Sequence, residues 1–358
     1  MIQPTCKPDV DQAARRVQAW WAGESLGRPA VLCRRRRAEA PPPPADDRPA
    51  GQREMDPRWH LAEAEWRLDA HAFPAETMPG VYPYFAHNLM VPAALAGARL
   101  HYRPETTWME EVPDLYDRPL PAPADDDPVL EMLSASLRLM GERLGDRGLL
   151  SAPPLLDGLT TLSMLRGPER LCLDLIERPR DAARWARRLD EIAVEAHRRL
   201  FAVIEGFGHA QTITWADVYA PGRCEMVQCD FAIMLSPEMF ERFVMPYLRT
   251  MTAYMDRSCY HLDGTPQTRF LDQLCSLPAL HAIQWNPEPP AAPPLEWLDF
   301  FAEVRRRGRS LWIACDADTA VALTEALGPD GLMLSVPHLA GDEEVETLLK
   351  RLTHASGG

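Results

Sequence analysis

Ser258-Cys259-Tyr260-His261-Leu262-Asp263-Gly264 reads as a strand that runs into a turn. The segment is apolar and aromatic, then places a His and an Asp two residues apart before a Gly. Residues at i and i+2 of a strand share a face, so His261 and Asp263 project together from its end. Gly264-Thr265-Pro266 makes the turn, and 270–275 follows as helix. A buried imidazole–carboxylate pair would fit these residues as well as a working site does. The rest of the chain must decide between them.

Outward from this strand, the second half alternates regularly. Strands are expected at 212–217, 259–263, 280–285, 311–315 and 332–336, with helices at 237–254, 295–307, 319–327 and 342–352 between them. Ser236 caps the first of these helices with Pro at its first position. Gly308 and Gly328 close two others. The first half adds strands near 30, 82 and 149 and helices at 9–22, 57–72, 128–144 and 180–205. Strands alternating with helices at short spacing imply parallel βαβ units, and eight such units close into a (β/α)8 TIM barrel. An open doubly wound sheet is the alternative, but no GxGxxG or GxxxxGK[ST] is present. The expected fold is therefore one α/β barrel domain over 1–358, with an N-terminal helical extension and a flexible loop at 34–56.

Composition agrees. The 358 residues, 46% hydrophobic, are enough for a large core. A net charge of −14 argues against a nucleic-acid surface, which needs a basic footprint. No basic-then-apolar leader and no long apolar run occurs, so a cytoplasmic protein without a membrane span is expected. The eight cysteines form no CxxC, consistent with reduced thiols. Arg34-Arg35-Arg36-Arg37 reads as a solvated loop or as an anion-binding patch at a strand end.

A barrel builds its active site at the C-terminal ends of its strands. Here those ends carry Trp215-Ala216-Asp217, His261-Leu262-Asp263, Gln284-Trp285-Asn286, Cys315-Asp316 and Ser335-Val336-Pro337-His338. Strand three leads toward Asp157, and the loop after strand four carries Gln228, Cys229 and Asp230. Two chemistries are open. His261, Asp263 and either His338 or Cys315 could ligate a zinc ion that activates a thiol or water. Alternatively Asp217, Asp230 and Asp263 serve as hydrogen-bonding or acid–base groups with His261 as proton carrier. Trp215 and Trp285 would wall the site, with Gln228, Gln284 and Asp157 contacting substrate.

Several stretches are familiar. They are Tyr219-Ala220-Pro221-Gly222-Arg223, Gln228-Cys229-Asp230-Phe231, Ser236-Pro237-Glu238-Met239-Phe240 and Tyr260-His261-Leu262-Asp263-Gly264. With Thr106-Thr107-Trp108, Leu165-Arg166-Gly167, Ala282-Ile283-Gln284-Trp285 and Gly331-Leu332-Met333-Leu334, the chain resembles the uroporphyrinogen decarboxylase superfamily. More narrowly, it resembles the decarboxylase-like and corrinoid-methyltransferase-like branch. The resemblance implies a (β/α)8 barrel, a small-molecule substrate and paired barrels in a homodimer. It also implies one of two activities: cofactor-free decarboxylation of a porphyrinogen polycarboxylate, or zinc-dependent methyl transfer between a corrinoid and a thiol.

The decarboxylase pattern has Arg residues after the first strand, where Arg34–Arg37 stand. It has an Asp after the second, where this chain has Ala86-His87-Asn88. The methyltransferase pattern has zinc on a His-x-Cys pair and a distant Cys. This chain offers His261, Asp263 and, near the last position, His338. The leading expectation is methyl transfer at the strand ends, with a corrinoid or corrinoid protein as methyl partner, His261, Asp263, Asp217 and Asp230 as the catalytic group, and zinc on His261, Asp263 and His338. Decarboxylation and a non-catalytic corrinoid- or partner-binding barrel are the alternatives.

Overall fold

The computed structural model describes residues 3–86, 90–103, 106–122, 126–209, 211–288 and 293–357. His87 and Asn88, singled out above, lie outside them. The strands that matter for the site are β1 (Ala30–Leu32), β2 (Gly80–Val81), β3 (Leu149–Leu150), β4 (Gln211–Ile213), β5 (Tyr219–Pro221), β6 (Cys224–Gln228), β7 (Arg257–Asp263), β8 (Ala282–Asn286), β9 (Ser310–Ala314) and β10 (Leu332–Ser335). Six of them form one parallel sheet in the order β1-β10-β9-β8-β7-β6. β2 and β3 form a separate parallel pair, and β4 and β5 an antiparallel hairpin.

Each strand divides its side chains between two apolar layers, as a period of two requires. Ala30, Leu32, Cys224, Met226, Cys259, Ala282, Trp312 and Met333 belong to one cluster, with Leu149 and Ile213 from outside the six-stranded sheet. Val31, Val227, Tyr260, Leu262, Ile283, Ile313 and Leu334 belong to the other, which also takes in the helices. The first helix, α1 (Val10–Trp21), packs on the first cluster through Trp20 and Trp21. Their indole N–H groups donate to Leu311 O at 3.1 Å and Tyr219 O at 2.8 Å. The expected N-terminal helix is thus part of the core, not an appendage.

Most expected elements are present within a few residues. α2 (Pro57–Ala70), α3 (Pro128–Leu144) and α5 (Pro179–Gly206) match their sequence signals, and α4 (Gly158–Arg166) lies between the last two; Asp56, Asp127 and Asp157 cap α2, α3 and α4. The 237–254 helix is two, Pro237–Phe243 and Met245–Tyr254. Pro246 has no N–H to continue the ladder, so the chain restarts there. The 34–56 segment is not without structure: Arg35–Arg36 pairs with His71–Ala72, and Ala50–Arg53 is a short helix. Among the described residues no helix is long and apolar enough to cross a membrane.

The main correction concerns the fourth strand. It is Cys224–Gln228 that joins β7 in the sheet, while the 212–217 run folds into the hairpin. The chain reverses because Asp217 takes a left-handed φ of 64° and donates its N–H to Thr214 O at 2.9 Å. Asp tolerates this conformation better than most residues. The returning limb then buries Val218, Tyr219 and Ala220 in the same cluster as Cys224, Met226 and Cys259. The Glu in Cys224-Glu225-Met226-Val227-Gln228 hides this strand from a pattern reading, since Glu is depleted in strands and rarely buried.

Asp217 is held in place by two guanidinium groups, Arg34 at 3.1 Å and Arg67. Asp217→Val should lose both pairs and put a β-branched residue at positive φ, costing roughly 2–4 kcal/mol in urea unfolding. Asp217→Asn should cost less than half of that. Equal midpoints for Asp217→Val and wild type would show that the hairpin tip is not fixed this way.

Candidate active site

Parallel register sets the site. Gln228, His261 and Gln284 stand level on β6, β7 and β8, and Asp263 stands level with Asn286. His261 and Asp263 follow Cys259 at steps of two, so they share the face of the inner cluster.

His261 is buried, and its Nδ1 meets Gln284 Oε1. With an amide oxygen as partner, Nδ1 carries the proton and Nε2 is left as an acceptor. Asp263 Oδ1 is 3.7 Å from Nε2, too far for a strong hydrogen bond. It accepts instead from Asn286 Nδ2 at 2.7 Å. Burial lowers the His261 pKa, and this outweighs the opposing effects of Gln284 and Asp263. The imidazole is therefore neutral at physiological pH. The Trp215 ring stands edge-on to it, with centroids 5.5 Å apart.

Asp230 lies two residues past the end of β6 and accepts from Gln228 Nε2 at 3.1 Å. Its pKa is pushed up to about 7, first by burial and then by the nearby Asp157, Asp263 and Glu288. A carboxyl that titrates near neutrality can both give and take a proton. Asp157 is fully enclosed behind it. Asp157 Oδ1 caps α4 by accepting from Leu159 N and Thr160 N, both at 2.9 Å, while its buried Oδ2 has no hydrogen-bond partner among the described residues. Burial raises the Asp157 pKa as well.

Other expected residues lie elsewhere. Trp285 faces the helices, where it packs with Trp297, Phe300 and Phe301, because it is one step out of phase with Gln284. Asp217 sits at the hairpin tip between Arg34 and Arg67. His338 is exposed, three residues beyond β10. Cys315 is half-buried with its thiol pushed up to about 12 by burial, then by Asp316. Among the described residues no three His, Cys, Asp or Glu side chains assemble into a metal-holding group. Asp263 Oδ1 is engaged by Asn286, and His338 is not brought to His261, so the donor set does not fit zinc. Three contributors were not singled out as site residues from the sequence. Asn286 is detectable as the register partner of Asp263. Glu288 and Thr160 are not, since only the folded chain brings them near Asp230.

No family model matches the chain, and no curated protein matches it. In fold, the chain is similar to a solved methyltransferase. That protein, from Methanosarcina mazei, aligns over 96% of this chain and 98% of its own, with a TM-score of 0.57 and 14% identity. At that identity the likeness is one of fold.

Glu225 tests the electrostatics of β6. It is buried, accepts from Met226 N at 2.8 Å, and burial pushes its pKa up to about 8. The unfolded chain releases this proton near pH ~4.3, so stability falls as pH rises from there to about 8 and then levels off. Glu225→Gln should therefore be more stable than wild type at pH 8, by on the order of 3 kcal/mol, and lose the advantage near pH ~4.5. Thermal unfolding across this range measures it; a pH-independent difference would contradict a protonated Glu225.

Proposed function

We propose that this chain is a (β/α)8-barrel enzyme of the uroporphyrinogen decarboxylase superfamily that transfers a methyl group to or from a neutral or cationic small molecule. The barrel is supported by the apolar cluster, on the face that carries His261 and Asp263, that draws on Leu149 and Ile213 as well as the six-stranded sheet. Methyl transfer is supported by the fold likeness to a methyltransferase. The observation that carries the mechanism is Asp230, a carboxyl poised at about pH 7 and bonded to Gln228, which stands level with the neutral His261 on the adjacent strand.

When a methyl group leaves a neutral oxygen or nitrogen, that atom must take a proton, whereas a cationic nitrogen departs as the neutral amine and needs none; when one arrives at an O–H or N–H, a proton must go. Asp230 is the group that gives or takes it. Gln228 orients the carboxyl. His261, its Nδ1 held by Gln284, offers Nε2 to a substrate donor. Trp215 walls the site on the His261 side. A corrinoid enters this scheme as a co-substrate that exchanges the methyl group. No zinc step is part of the scheme, because the donors do not assemble.

The substrate charge follows from the local field. Asp157, Asp263 and Glu288 surround Asp230 and disfavour another anion. The Arg run, which kept a polycarboxylate substrate in view, is largely engaged: Arg34 with Asp217, Arg35 with Asp342, and Arg37 with His71 O at 2.9 Å. Decarboxylation of a polycarboxylate therefore has less support here than methyl transfer.

Purified protein should form methylcobalamin from cob(I)alamin and one of a panel of methylated amines and alcohols, followed by absorbance. Asp230→Asn should lower kcat by roughly 10²–10⁴-fold with little change in KM. It should also abolish a pH limb near 7. Asp230→Asn turning over at the wild-type rate, or a wild type that transfers no methyl group but decarboxylates uroporphyrinogen, would sink the proposal.

A further inference from the structure

Behind Asp230 the chain builds a second set of polar contacts that the proposed chemistry leaves unused. Gly158 opens α4, and its N–H donates to Asp190 Oδ1 of α5 at 2.6 Å. Asp157 takes the next two N–H groups. Two carboxyl groups from different segments thus hold three consecutive donors at one helix start, groups that have no partner within the helix. The approach depends on glycine: a Cβ at position 158 would run into the Ala186 carbonyl oxygen and stand 2.7 Å from Asp190 Oδ1.

Thr160, two residues into α4, touches the chain on both sides of Asp230. Its Oγ1 accepts from Phe231 N at 3.4 Å and donates to Cys229 Sγ at 3.8 Å. The contacts therefore run from α5 through Asp190 to Gly158, along the first turn of α4 to Thr160, and on to Cys229 and Phe231. The charged and titratable groups facing Asp190 are Asp157 from the start of α4, Glu191 and Arg187 from its own helix, and Tyr247 from Met245–Tyr254. Tyr247 has a buried hydroxyl without a hydrogen-bond partner among the described residues. Burial, with Asp157 second, drives the Asp190 pKa well above its ordinary value.

We propose that Asp190 is a positioning residue for Asp230: by holding the first N–H of α4 it keeps Thr160 against Cys229 and Phe231, and so keeps the Asp230 carboxyl in its enclosed place. The inference rests on the reading of Asp230 as the acid–base group.

Carboxyl ¹³C NMR of the full chain labelled at aspartate follows Asp230 with no substrate present, the resonance being assigned by its loss in Asp230→Asn. The wild-type midpoint is expected at about 7. In Asp190→Leu, with circular dichroism showing a folded chain, the midpoint should drop by about one pH unit or more toward the ordinary ~3.9. Thr160→Val should move it the same way. Asp190→Asn keeps an oxygen acceptor for Gly158 N–H and should leave it in place. An unmoved midpoint in Asp190→Leu and Thr160→Val overturns the proposal. So does an Asp190→Asn drop equal to that of Asp190→Leu, because charge rather than the hold would then be acting. If Asp190→Leu does not fold, Thr160→Val and Asp190→Asn decide between the same two outcomes. A wild-type midpoint near ~4 would instead sink the reading of Asp230 itself, which separates the two failures.

Discussion

The site depends on one constraint, the parallel register that sets Gln228, His261 and Gln284 level on three adjacent strands. Parallel ladders fix which residues stand side by side, and a strand period of two fixes which of them face inward. A slip of one residue in β7 would send Leu262, not His261, to Gln284 and bury an imidazole among the helices. The apolar clusters on both faces oppose that slip, because Cys259 and Ala282 fill the inner one while Tyr260, Leu262 and Trp285 fill the outer one.

On this frame the electrostatics are set by crowding. Asp157, Asp263 and Glu288 come from three places in the chain and, after burial, raise the cost of ionising Asp230. Asp263 accepts from Asn286, while Asp157 spends one oxygen on a helix start. Asp230 has, among the described residues, only an amide partner, and burial with these carboxylates sets it to titrate near neutrality. Pairs of acids pushed apart in this way are how one fold assigns acid–base roles.

The β4–β5 hairpin ties the parts together. Its tip brings Trp215 to His261 and takes up Arg34 and Arg67 through Asp217. Its return limb fills the inner cluster that the strand ends rest on. Arg34 and Arg67, two cations that a polycarboxylate could use, are thereby engaged within the protein, and the carboxylates near Asp230 make the local field acidic.

The sequence by itself determined the alternation of strands and helices, the Ser236 cap, the place of His261 and Asp263 at a strand end, and the presence of Gln228, Asp230 and Gln284 near them. These are legible because helix and strand periods and cap chemistry are local. Only the tertiary structure decided which segment is the fourth strand, since a buried Glu225 masks β6 and a left-handed Asp217 turns the more strand-like run back on itself. It also decided that Trp285 faces the helices, that His338 stays exposed, and that Asp157, Asp190 and Thr160 stand behind Asp230. Those facts rest on contacts between residues tens of positions apart, and burial and charge at such contacts depend on the neighbours that folding supplies, which no local pattern records.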